Sequence, residues 1–287
     1  MKMSRKSALK NMAAMAAVGT LGLPFVSNAG NKKISAQSFN HSVCKWPYPN
    51  KSLEEMCEKA KELGIASVEL LDPKDFLFLR KYGLTCAMAN GSRLHIPKGF
   101  NDPAHHAQLW KDYEELIPKA ADAGLPNIIC FSGNRNGISE ELGLENCAKG
   151  LDKLAKLAEK YQITICMELL NSKVDHADYQ CDHTEWGVKL CEKLGSARFK
   201  LLYDIYHMQI MEGDIIATIR KHAKYIGHYH TGGVPDRNEI DETQELNYKA
   251  IMDAITATGF TGYVAQEFIP KNEDVFASLK KAIEICS

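Results

Sequence analysis

The sequence predicts an α/β chain closed as a single (β/α)8 barrel, and three observations carry that reading. Eight strand-like runs alternate with helix-like stretches, which implies parallel pairing through right-handed crossovers. No GxGxxG follows the first run, so an open dinucleotide-binding sheet lacks its fingerprint. Four late runs each end in a side chain able to hold a metal, and catalytic groups sit at the C-terminal strand ends of such barrels.

In order, the strand-like runs are residues 34–40, 66–71, 84–90, 127–133, 163–170, 200–206, 225–231 and 263–268. Each is short, rich in apolar and β-branched residues, and bounded by polar or glycine-containing segments. Between them lie amphipathic stretches. Residues 53–63 place Met56, Ala60 and Leu63 on one face, residues 104–123 form a second stretch, and 140–160 align Leu151, Leu154, Leu157 and Ala158. Gly64, Gly124, Gly195 and Gly259 each follow a helical run, where a left-handed residue closes a helix at least cost. With no interior linker, residues 30–287 read as one domain.

The first 29 residues are different. Lys2, Arg5, Lys6 and Lys10 precede a short apolar run at 12–26, and Ser27-Asn28-Ala29 places small residues where a signal peptidase cuts. Residues 1–29 therefore read as an export signal. Ser4-Arg5-Lys6-Ser7 is similar to a twin-arginine signal with lysine in the second place. Gly19, Gly22 and Pro24 interrupt the apolar run, which falls short of the ~20 residues of a membrane span. The expected address is the periplasm, with the cytoplasm as the alternative, and no membrane span remains after signal removal.

A formal net charge of −1 on 287 residues, with no basic stripe beyond the N-terminus, excludes ordinary nucleic-acid binding. The nine cysteines are odd in number and lack CxxC spacing, so neither a disulfide framework nor a thiolate zinc site is indicated. Cys130 and Cys166 fall inside strand-like runs, where cysteine acts as a small hydrophobe.

Chemistry concentrates in the second half. Glu168, Asp204, His230 and Glu267 each close an apolar run, and an unpaired carboxylate buried there would be strongly disfavoured. A shared divalent cation would compensate them, and the mixed oxygen and nitrogen donors suit Mg2+, Mn2+ or Co2+. His228 shares a strand face with His230 but lies deeper, so it reads as packed behind the site. His207, one turn past Asp204, is placed to hydrogen-bond a substrate. Cys166, Met208 and Met211 read as core.

The run Tyr203-Asp204-Ile205-Tyr206-His207-Met208-Gln209 with Met211-Glu212-Gly213 resembles the hydroxypyruvate isomerase family of xylose-isomerase-like TIM barrels. The resemblance continues through residues 226–228, 234–239 and 245–248 to Glu267-Phe268-Ile269-Pro270. It implies a metal held by Glu168, Asp204, His230 and Glu267, proton transfer by Glu168 and Glu267, and substrate contacts from His207 and Arg237. Two features depart from it. The third ligand in those isomerases is glutamine, whereas His230 matches ketose 3-epimerases, and Thr231-Gly232-Gly233 lacks an acidic residue common there.

The expected activity is isomerisation of a small α-hydroxycarbonyl compound of the hydroxypyruvate/tartronate semialdehyde type. The alternatives are a ketose 3-epimerase and a lyase or hydratase acting on a 3-keto sugar outside the cytoplasm. A non-catalytic sugar-binding barrel fits poorly with four retained ligand positions. A homo-oligomer is compatible with this reading.

Overall fold

The computed structural model describes residues 38–287. Eight parallel strands form the barrel: β1 (Asn40–Cys44), β2 (Ser67–Glu69), β3 (Met88–Ala89), β4 (Asn127–Cys130), β5 (Thr164–Glu168), β6 (Phe199–Asp204), β7 (Ile226–Thr231) and β8 (Tyr263–Gln266). Hydrogen-bonded ladders run in the order β2-β1-β8-β7-β6-β5-β4-β3. Parallel bridges Ser67–Thr85 and Leu71–Ala89 span the remaining gap between β2 and β3. The (β/α)8 barrel expected from the sequence is the fold observed.

Eight α-helices pack outside: α1 (Leu53–Glu62), α2 (Pro103–Asp122), α3 (Glu140–Tyr161), α4 (Thr184–Leu194), α5 (Ile205–Met211), α6 (Ile215–His222), α7 (Tyr248–Ala257) and α8 (Val275–Ile285). The alternation is not strict. A 3-10 turn, Leu79–Tyr82, stands where a helix would follow β2, and α5 and α6 together follow β6. The helix starts are written in the sequence. Ser52 and Glu55 close a reciprocal capping box on α1, and Asp102 caps α2 just before Pro103. Gly64, Gly124, Gly195 and Gly259 all adopt positive φ, as expected of residues that end helices.

Several strands are shorter than the runs read from the sequence, as with β3 (Met88–Ala89 within 84–90) and β4 (Asn127–Cys130 within 127–133), and two boundaries differ for a visible reason. The first strand is Asn40–Cys44, shifted from 34–40, and residues 34–37 lie outside the described residues. The pairing decides this, because Ser42 must sit between Ser67 of β2 and Ala265 of β8. The sixth strand stops at Asp204, where its side chain turns Ile205 and Tyr206 into the first residues of α5. The export signal read in residues 1–29 also lies outside the described residues. Among those described, no helix is long and apolar enough to cross a membrane.

Strand alternation builds the interior in layers. Met88, Ile129, Cys166 and Leu202, one each from β3 to β6, form a small buried cluster. Cys166, Leu202 and His228 lie two residues before Glu168, Asp204 and His230, so they face the same way one layer deeper. Met167, Tyr203 and Tyr229 alternate outward into the larger core shared with the helices. All nine cysteines are free and buried, as a small-hydrophobe role requires. Met208 and Met211 are buried too.

Candidate active site

The four residues read from the sequence come together at the C-terminal ends of β5 to β8. Glu168, Asp204, His230 and Glu267 each present one donor atom, and these atoms all lie within 4.8 Å of one another. His230 Nδ1 is 2.7 Å from Glu267 Oε2 and 3.4 Å from Glu168 Oε1. The pairing of Asp204 with His230 across β6 and β7 sets this register.

Three of the four are held by different devices. Asp204 caps α5, its Oδ1 accepting the backbone N–H groups of Tyr206 (2.8 Å) and His207 (3.2 Å). Trp46, just past β1, donates its indole N–H to Glu267 Oε1 at 2.7 Å. Behind His230 lies Glu69, the last residue of β2 and fully buried. Its Oε1 accepts from His230 Nε2 at 2.9 Å and His228 Nε2 at 2.8 Å, and its Oε2 accepts from Ser42 Oγ. Burial alone would raise the Glu69 pKa, yet His228 and His230 outweigh it and hold the carboxyl down at about 2.

This arrangement fits a divalent cation. With Nε2 committed to Glu69, His230 turns Nδ1 toward the carboxylates, where that buried nitrogen makes no hydrogen bond of good geometry. An imidazole nitrogen facing three carboxylates, with its far side held by a fourth, is the outer-shell pattern of a histidine metal ligand. Oxygen-rich donors with one imidazole suit Mg2+, Mn2+ or Co2+.

Arg237 also enters the cluster. Its Nη2 donates to Asp204 Oδ2 at 2.8 Å and to Glu267 Oε2. The guanidinium lies over the rings of Trp46 and Tyr206, 5.3 and 5.4 Å from their centroids. Asp236 and Arg237 have φ of 70° and 60°, a region non-glycine residues seldom occupy. The sequence places Arg237 against substrate; the structure places it against Asp204 and Glu267 and also on the cavity wall. His207 is fully buried, with Nε2 3.7 Å from Asp204 Oδ2.

The carboxyl groups are driven apart. Burial raises Glu168, and with Glu267 nearby it stays above the ordinary range. Burial likewise carries Asp204 to about 7 against the pull of Arg237. Glu267 is opposed by burial too, but Arg237 and His230 prevail and hold it well below a normal glutamate.

Glu168, Glu267 and Arg237 open onto a cavity of about 980 Å³. Leu70, Ile129 and Phe131 give it an apolar side, and Asn90 and Asn134 a polar one. Gly91 belongs to its wall for a steric reason: a Cβ there would meet Ile129 O at 2.3 Å.

Barrel, converging strand-end side chains and cavity define a candidate active site on a (β/α)8 scaffold, with a cluster that could hold a metal. The chain belongs to the xylose isomerase-like TIM barrel family, whose pattern matches residues 57–285. It is 27% identical over 225 residues to the hydroxypyruvate isomerase of Escherichia coli, covering 75% of this chain and 86% of that one. It is 32% identical over 117 residues to the 2-oxo-tetronate isomerase of Cupriavidus necator, a match spanning 41% of this chain and 44% of the relative. Among solved structures, a family 2 AP endonuclease from Brucella melitensis superposes with a TM-score of 0.74 at 23% identity, covering 84% and 97% of the two chains. A D-psicose 3-epimerase from Clostridium cellulolyticum does so at 0.69 and 19%, covering 85% and 90%. At these identities the structural likeness speaks to the fold.

Glu69 and Trp46 were not singled out from the sequence. The signal for Glu69 was present as an acidic residue inside the apolar run at 66–71, but its partners His228 and His230 are some 160 residues away.

Proposed function

We propose that this chain is a divalent-metal-dependent isomerase of a small α-hydroxycarbonyl compound of the hydroxypyruvate/tartronate semialdehyde type, transferring a proton between adjacent carbons through an enediolate. The observation that carries the proposal is the convergence of Glu168, Asp204, His230 and Glu267, with His230 Nδ1 turned into the carboxylates. The isomerase names of curated relatives that align over most of this chain support the reaction class.

A bound Mg2+, Mn2+ or Co2+ would polarise the carbonyl and neighbouring hydroxyl and so acidify the hydrogen on the carbon between them. The protein supplies the proton transfers. Glu168 and Glu267, the latter anchored by the Trp46 indole N–H, are the pair that takes a proton from one carbon and returns one to its neighbour. Both face the cavity, and Arg237 beside them offers fixed positive charge to a substrate hydroxyl or carboxylate.

A second reading, sugar 3-epimerisation, is favoured by His230 as third ligand and by a cavity of about 980 Å³, at the upper end of small-molecule sites. One experiment separates them. The Mn2+-loaded protein is incubated in D2O with hydroxypyruvate and, separately, with ketoses, and deuterium is located by NMR. Deuterium at the hydroxypyruvate carbon supports the isomerase, and deuterium at ketose C3 the epimerase. Glu267→Gln should keep its fold yet lose roughly 10²-fold or more of the rate, the scale of a lost positioned base. Asp204→Ala should lose the metal. No exchange into any hydroxycarbonyl compound by protein that binds Mn2+ would refute the proposal.

A further inference from the structure

The chemical groups of the site occupy one half of the barrel mouth. Glu168, Asp204, His230 and Glu267 stand at the ends of β5 to β8, and in the strand order β2 lies diametrically opposite β6. The facing arc, from β2 to β4, presents Leu70, Ile129 and Phe131 to the cavity. Ile129 is buried, while Leu70 and Phe131 are half-buried and pack against the inner cluster of Met88, Ile129, Cys166 and Leu202. The polar residues Asn90 and Asn134 donate to Asp72 Oδ1 (3.0 Å) and Ala177 O (3.3 Å) in exposed settings, so they belong to the rim.

Strand alternation would point Leu70 away from that cavity. Glu69 faces the interior, where it holds His228 and His230, so the next side chain of an extended strand faces the helices. Val68, on the other side of Glu69, does pack outward. Leu70 instead has φ of 56°, a left-handed conformation that leucine seldom adopts because its Cβ crowds the carbonyl that follows. The turn breaks the alternation: Glu69 and Leu70 both face inward, and Leu71 returns to the outer core. Neighbouring strands impose it. From the β1 side Lys45 N–H donates to Glu69 O (3.1 Å), and on the β3 side Leu70 N–H donates to Met88 O (2.8 Å) and Asn90 N–H to Leu71 O (3.0 Å). Strain that the surroundings over-determine in this way is concentrated at ligand sites.

We propose that Leu70 is a specificity-determining residue, turned inward to make the β2–β4 side of the cavity a wall for hydrocarbon, so that the preferred substrate carries an unhydroxylated segment beyond its hydroxycarbonyl head. The identity of the head rests on the isomerase reading above, while the wall does not. A cavity of about 980 Å³ far exceeds what a three-carbon compound fills, and the surplus next to the strand ends is bounded by apolar side chains. A hydroxyl turned toward Leu70, Ile129 and Phe131 would leave water and find no partner, whereas a methyl or methylene group there is stabilised by leaving water. The wall therefore discriminates between compounds of one carbon skeleton that differ in their hydroxyls.

The test compares 1-hydroxy-2-butanone with erythrulose, two hydroxyketones of the same carbon skeleton that share the hydroxymethyl ketone head and differ only in hydroxyls beyond it. The Mn2+-loaded full chain is incubated with each in D2O, and deuterium entry at the hydroxymethyl carbon is followed by NMR relative to the uncatalysed rate. Wild type should favour 1-hydroxy-2-butanone by roughly 10-fold or more, the scale on which an apolar pocket reads single hydrocarbon groups. Asparagine tolerates left-handed backbone and brings an amide to the wall, so in Leu70→Asn that preference should fall roughly 10-fold. Leu70→Met, which keeps the wall apolar, should hold the preference, and both variants should keep the melting temperature and Mn2+ affinity near wild type. Should Leu70→Asn not fold, Leu70→Gly accepts the same φ and carries the same expectation. The wall is also read without turnover. With 13C-labelled leucine methyls, the Leu70 signals, identified by their loss in Leu70→Met, should shift on adding 1-hydroxy-2-butanone and not on adding erythrulose. Equal rates or a wild-type preference for erythrulose overturns the proposal. So does a preference unchanged in the folded asparagine or glycine variant, or Leu70 signals that answer both compounds alike. If wild type exchanges no hydroxycarbonyl compound, the isomerase reading falls; Leu70 signals that still shift with 1-hydroxy-2-butanone alone then show that the wall stands, and signals that do not shift show that both have failed.

Discussion

Replacing Glu69 by glutamine tests whether the site depends on a residue that touches neither cavity nor cation. Glu69 Oε1 is the common acceptor of His230 Nε2–H (2.9 Å) and His228 Nε2–H (2.8 Å). Glutamine keeps the volume, and its single carbonyl oxygen can still face both rings. Its NH2 can face Ser42, whose hydroxyl can turn to accept and still reaches Ser67 O at 3.2 Å. The geometry therefore survives and the negative charge is lost. Without that charge the His230 ring is a weaker donor to metal, and outer-shell changes of this kind cost about 10- to 100-fold in affinity. That is roughly 1.4 to 2.8 kcal/mol. Calorimetric titration of Mn2+ into wild type and Glu69→Gln at one pH measures the difference, and thermal melts verify the fold. Equal Mn2+ affinities, within about twofold, would refute the claim that Glu69 tunes a His230 ligand. A His230→Ala variant with undiminished affinity would remove His230 from the metal site altogether.

Two further outcomes are expected. Burial lowers the pKa of His41, on β1, from 6.5 to about 4. The unfolded chain thus binds its proton more readily, so this contribution to stability is intact above pH 6.5 and is lost as pH falls toward 4. The full loss is up to about 3 kcal/mol. Melting temperatures across that window should decline less steeply in His41→Gln than in wild type, and parallel declines would show that His41 is not the group responsible. Deletion of residues 1–29, the proposed export signal, should leave Mn2+ affinity unchanged and should keep the protein out of the periplasm. Mature protein recovered from the periplasm should begin near Gly30, and recovery there with Met1 still in place would count against a cleaved signal.

The barrel was legible because strands and helices write different periods into the sequence, and eight alternations leave few ways to close. The four ligand candidates were legible for a related reason. A carboxylate or imidazole that ends an apolar run must sit at a strand end, and β5 to β8 are consecutive. The first strand was misplaced because residues 34–44 contain no sharp apolar alternation, and only pairing with β2 and β8 sets its register.

Other features needed the tertiary structure. Glu69 acts through hydrogen bonds to His228 and His230, and no local pattern encodes which ring nitrogen a distant side chain will face. Arg237 could be read as a cation near the site, but its insertion between Asp204 and Glu267 depends on left-handed backbone at Asp236 and Arg237 and on the flanking Trp46 and Tyr206 rings. Local sequence thus determined the strands, the helix caps and the strand-end chemistry, because burial and backbone hydrogen bonding act over a few residues. Tautomer, ionisation and cavity were decided only when the closed barrel brought side chains from β2, β5, β6, β7 and β8 within a few ångströms, where their fields and hydrogen bonds act on one another.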